Sequence, residues 1–137
     1  MLRVFSAVAF AGFALALPGC GGEGAGLYPI EGEVLFENKP LDKGNILFEH
    51  DDLKNPALSG ATIENGKFSI PKNRGLKPGV YVVRVSSADP NLKDENQPPG
   101  ESNKIAKDRI PASWNSASQQ KVDVVSSGPN QFKFVIK

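Results

Sequence analysis

Three residue types that often do chemistry occur once each in this 137-residue chain, and the three stand far apart. Cys20, in "LALPGCGGEGAG", is the single cysteine, His50, in "FEHDD", the single histidine, and Trp114, in "IPASWN", the single tryptophan. One cysteine closes no intramolecular disulfide, and a free thiol in an oxidising compartment is a liability. One histidine falls short of the two-histidine, one-cysteine set of a blue-copper centre and of the two-histidine triad of a non-haem iron oxygenase. A serine triad would have to be built on His50, and no Gly-x-Ser-x-Gly turn accompanies it. Glu49, Asp51 and Asp52 offer oxygen ligands of the kind calcium takes, but "EHDDLKN" lacks the spacing of a calcium loop. These acids are therefore expected to form a solvated loop tip. A covalent Lys–Asn cross-link needs an inward-facing lysine early in the chain, where the inward positions read Ile30, Gly32, Val34 and Phe36. No catalytic set, metal or cofactor is expected, and the protein is not expected to be an enzyme.

The surroundings of Cys20 say more. Met1-Leu2-Arg3 carries one positive charge, and Val4 to Leu17 then contains no charged residue. A short basic start and an apolar core of that length fit a secretory signal, and the run is too short for a bilayer-spanning helix, which needs about 20 residues. Leu17-Pro18-Gly19-Cys20 resembles the lipobox of bacterial lipoproteins, with Pro18 standing where Ala, Ser or Thr is usual. The resemblance implies removal of residues 1–19 by cleavage between Gly19 and Cys20. It also implies acylation of Cys20, which attaches the protein to a membrane. Residues 20–27, rich in glycine, would then be a flexible tether. Several acyl chains hold far better than one, which binds only marginally. Lipoproteins kept at the inner membrane commonly carry Asp after the cysteine. Gly21 stands there instead, so the expected location is the cell envelope, at the outer membrane where the cell has one.

Loss of residues 1–19 removes Arg3 and no acid, which leaves 15 basic against 15 acidic residues. That balance gives nucleic acid no electrostatic footing. The remaining length suits one domain. Alternating apolar and polar residues recur in "PIEGEVLF", "NILFEH", "ALSGATIE", "KFSI", "VYVVRVSSA", "QKVDVVSS" and "QFKFVIK", with turn signals such as "NG" at Asn65-Gly66 between them. Seven such runs and no helical period predict an all-β domain over 28–137, a seven-stranded antiparallel sandwich. Asp89 to Arg109, "DPNLKDENQPPGESNKIAKDR", is nearly devoid of apolar residues and is expected to be a mobile loop. Trp114, just after it, is expected to seal one edge of the sandwich.

"IEGEVLFENKPLDKGNILFE", "NGKFSIP" and "GLKPGVYVVRV" together resemble the carboxypeptidase-regulatory-like, transthyretin-like β-sandwich domains of small bacterial lipoproteins. "IPASWN" is similar to a recurring Ile-Pro-x-x-Tyr-Asn segment there, with Trp114 in the place of Tyr. The resemblance covers Tyr28 to Lys137 and implies a Greek-key sandwich serving as a structural or interaction module. The transthyretin-related hydrolases need several His and Arg and a Tyr-Arg-Gly-Ser ending, whereas this chain ends "KFVIK". Two functions follow as expectations. One is a non-catalytic, lipid-anchored envelope module with a possible envelope protein partner. The other is an extracytoplasmic protein binding a sugar or peptide through the 89–109 loop and an exposed Trp114.

Overall fold

The computed structural model describes residues 26–89 and 107–137. Gly19, Cys20, the signal-like segment, most of the tether and the middle of the 89–109 loop lie outside the described residues.

Period-two alternation does make strands. In Ile30–Phe36 (β1), Ile30 and Val34 are buried while Glu31 and Glu33 are exposed. A two-residue turn follows, with Glu37 and Asn38 both at positive φ (50° and 64°), the geometry that matches the twist of flanking strands. It leads into a two-residue strand, Lys39–Pro40 (β2), then Lys43–His50 (β3) and Leu58–Glu64 (β4). Asn65 and Gly66, at φ 50° and 77°, form the second turn of this kind and open Lys67–Ile70 (β5). This second turn docks on Val34 of β1 and on the residues that follow the first turn. The Gly66 N–H donates to the Leu41 carbonyl at 2.7 Å, and the Val34 N–H to the Gly66 carbonyl at 2.7 Å. A Cβ on Gly66 would come within 2.7 Å of the Pro40 side chain, so glycine is required there by space as well as by φ.

Gly79–Ser86 (β6), Lys121–Val124 (β7) and Asn130–Ile136 (β8) complete one curled, all-β sheet. β8 pairs with the whole of one edge of β1, residue for residue from Ile30↔Asn130 to Phe36↔Ile136. β5 takes Ile30 to Glu33 and β2 takes Leu35 and Phe36 on the other side. The remaining order is β5-β4-β3-β6-β7. All pairings are antiparallel except β1 with β8, which is parallel, against the wholly antiparallel expectation. The short β2 falls inside "ENKPLDKG", read from sequence as turn alone.

One core lies on the inner side. Ile30, Val34, Ile46, Phe48, Ile63, Ile70, Tyr81, Val83, Val85 and Ile136 are at most 1% exposed. Phe48, Phe68, Phe132 and Phe134 form a chain of ring contacts at 5.9–6.4 Å between centroids. Trp114 extends it, edge-on to Phe134 at 6.0 Å. Such tilted and stacked pairs add to what burial of the rings already contributes.

Candidate functional site

The polar residues that sequence pattern singled out are each held by a specific neighbour. Glu49 accepts from Arg84 Nε at 3.1 Å, and Asp51 pairs with Lys121 Nζ at 2.8 Å. Asp52 folds back on its own loop, accepting from the Lys54 N–H at 2.9 Å. His50 Nδ1 accepts from the Asp52 N–H at 3.0 Å, and the ring stands edge-on to Tyr81 at 4.9 Å. The four side chains are thus committed in four directions. Among the described residues no group of three acids, His or Cys is gathered for a metal.

Trp114 ends a short 3-10 turn, Ala112–Trp114, opened by Pro111, whose extended ψ of 146° cannot continue a helix backwards. The ring is half-buried against Phe134. Arg84 fastens the next stretch to β6, donating from Nη1 to the carbonyls of Asn115 at 2.7 Å and Ser116 at 3.1 Å. Ser118 donates to the Val83 carbonyl at 2.5 Å. The segment 110–120 therefore packs along β6 where β7 does not reach.

Sequence reasoning missed the densest polar group, at the base of the 89–109 loop. Ala88 and Asp108 form an isolated antiparallel bridge, and the Arg109 N–H donates to the Ser87 carbonyl at 3.0 Å. Asp108 Oδ1 accepts from the Ser87 and Ile110 N–H groups at 3.0 and 2.9 Å, while Oδ2 accepts from Asn115 Nδ2 at 2.6 Å. Ser87, 2% exposed, donates to the Lys43 carbonyl at 2.5 Å and accepts from Arg109 Nε at 2.8 Å. Arg109 also hydrogen-bonds the Asp42 carboxylate and lies 5.9 Å over the Phe36 ring. That guanidinium holds the Asp42 carboxyl below the usual carboxylate range, with a backbone hydrogen bond from Lys43 helping. The signal was the pair Asp108-Arg109 immediately before an apolar turn, which ends the solvated stretch. Chemically the group is a clasp: each donor meets an acceptor, and among the described residues no buried side-chain N or O lacks a partner.

A cleft of about 1250 Å³ opens where β4 and β5 part. Their ladder consists of the single pair Glu64↔Lys67. Gly32, Ile46, Ala61, Phe68 and Phe132 line its apolar part, and Arg74, whose carbonyl accepts from the Ser59 hydroxyl at 2.6 Å, is also in its lining. Gly32 is fixed by its neighbours, since a Cβ there would meet the Phe132 carbonyl at 2.2 Å and the Phe68 ring at 2.7 Å.

Tyr81 is fully buried, and its hydroxyl donates to the Lys77 carbonyl at 3.0 Å. Burial pushes its pKa up. Among the described residues no helix is long and apolar enough to cross a membrane. Comparison of the chain with known protein families, with curated proteins and with solved structures finds no match to any of them.

Proposed function

We propose that the chain is a non-catalytic lipoprotein of the cell envelope. Cys20 carries the lipid after cleavage from Gly19, and the sheet is a structural or protein-interaction module on a short glycine-rich tether. The observation that carries this reading is "LPGC" at the end of an uncharged run and the start of a glycine cluster. Such an anchor gives the lone cysteine a purpose and removes a free thiol from an oxidising compartment. The commitment of Glu49, Asp51, Asp108, Arg84 and Arg109 to structural partners supports a module built to hold shape.

The finer architecture proposed is a two-layer, transthyretin-like sandwich. Two features support it. β4 and β5 share one pair only, and no ladder joins β7 to β8 among the described residues. The leaves β8-β1-β5 and β4-β3-β6-β7 would then face each other across one core. Orientation follows from the registers. Tyr28, where the tether meets the sheet, bridges Leu76 at the end that also holds the start of β6 and of β8. Ser87, Asp108 and Arg109 close the loop base at the opposite end, beside the end of β6. The base of the 89–109 loop would thus lie at the end of the sheet away from the membrane. The ligand-binding alternative needs an exposed Trp114, and packing on Phe134 weighs against it.

The test is metabolic labelling with an alkyne-bearing fatty acid in the native cell. Label on the wild-type chain and none on Cys20→Ala is the expected result. A wild-type chain without label overturns the anchor.

A further inference from the structure

β4 carries a free edge whose chemistry is unusual. The His50 N–H donates to the Ala57 carbonyl at 2.9 Å, so peptide groups at the odd positions 57, 59, 61 and 63 face β3. The two-residue turn at Asn65-Gly66 makes Glu64↔Lys67 the closing pair of its hairpin, which turns Glu64 the other way. Leu58, Gly60 and Thr62 therefore present N–H and C=O away from β3. Beyond Glu64 no strand pairs with that side among the described residues.

Exposed edges are ordinarily blunted by lysine, proline, a bulge or an inward charge. Leu58 to Ile63, "LSGATI", has none of the first two and no charge at all. The cleft beside it is lined by Gly60, Ala61 and Thr62 of β4 and by Phe68 and Ser69 of β5.

We infer that this edge takes a second copy of the same chain, in antiparallel β4–β4 pairing with Gly60 on the two-fold axis. The open positions 58, 60 and 62 are symmetric about 60. A dyad there sets Gly60 against Gly60, and Leu58 of each copy against Thr62 of the other. Every open N–H and C=O finds a partner, about six hydrogen bonds in all. A dyad at Ala61 would instead set Leu58 against Glu64, whose peptide groups already serve Lys67. Glycine places no side chain on the two-fold axis. Leu58, 64% exposed in the single chain, is covered by the other copy.

Charge favours a self-partner over an unrelated strand. Glu64 stands at one end of the edge. Arg74 is held at the other, because the Ser59 hydroxyl donates to the Arg74 carbonyl at 2.6 Å. Neither side chain has an ion-pair partner among the described residues. Antiparallel pairing sends each Glu64 toward the Arg74 of the other copy, twice over. An isologous contact of this kind closes at two subunits and leaves no propagating edge on β4.

The test uses the full chain with Cys20→Ala in mild detergent, and adds Leu58→Cys or Thr62→Cys. Both positions are exposed, so neither change stresses the core. Paired positions would sit about 5.5 Å apart between Cα atoms, within disulfide range, whereas 58 to 58 and 62 to 62 are about 13 Å apart or more. Mild oxidation is expected to cross-link the mixture of the two variants and neither variant alone. Sedimentation of the Cys20→Ala parent is expected to give twice the monomer mass. Arg74→Glu is expected to shift it to monomer and Glu64→Arg/Arg74→Glu to restore the dimer. A monomeric parent overturns the inference. So does a dimer indifferent to Arg74→Glu, cross-linking equal in each variant alone, or cross-links to other proteins only.

Discussion

Single residues decide how the chain ends of the 89–109 loop are joined, and pH reads that junction. The Asp42 carboxyl is held below its ordinary range by Arg109, so its charged form favours the folded state. A depressed acid contributes stability above its unfolded pKa and loses it as pH falls through the folded one. We expect the urea midpoint of the wild type to fall more steeply than that of Asp42→Asn from about pH 4 downward. Equal slopes would mean the pair is not coupled to folding. Tyr81 has the opposite sign. Its raised pKa means that stability is complete below about pH 10 and drains as pH rises toward the folded value. Tyr81→Phe should cost about 1 kcal/mol at neutral pH, through the lost bond to Lys77, and should flatten the alkaline loss. Denaturant titration at three pH values checks both. At Gly32 the constraint is space: Gly32→Val drives a side chain into the Phe132 carbonyl and the Phe68 ring, and should cost about 3 kcal/mol in the same assay. None of these roles was visible in the sequence. A clasp such as Ser87–Arg109–Asp42 joins residues far apart in the chain, and composition carries no record of such pairings.

At the scale of elements, the sequence was far more readable. "KFSI" is β5 residue for residue, and the faces of β1, β6 and β8 follow their alternation, because a half-buried strand must alternate. Positive φ at Asn65 and Gly66 follows directly from "NG". What pattern could not supply is who neighbours whom. The parallel β1–β8 pair brings together the two ends of the sheet's chain, and any apolar alternating strand would satisfy β1 equally well on paper. Nor did period two expose β2, whose two residues are too few to show a period. Trp114, expected from sequence to seal an edge, packs on the core through Phe134. Trp114→Ala should therefore cost about 2 kcal/mol, less than a fully buried tryptophan, with the loss appearing as faster hydrogen exchange in β8 and the second half of β6. Unchanged exchange there would mean the ring is a bystander.

For the whole molecule, the proposed arrangement sets the all-β module on a lipid anchor at one end, with the Ser87–Asp108–Arg109 clasp at the other. The sheet's own registers support that polarity: Tyr28 and Leu76 lie at the tether end, and Ala88 and Asp108 at the far end. The proposed anchor rests on the residues around Cys20. Its most direct measurement is the intact mass of the protein isolated from its native cell. A chain that begins at Cys20 and carries additional acyl mass is the expected result. A chain that keeps residues 1–19, or one that begins beyond Cys20 with no acyl mass, would contradict it.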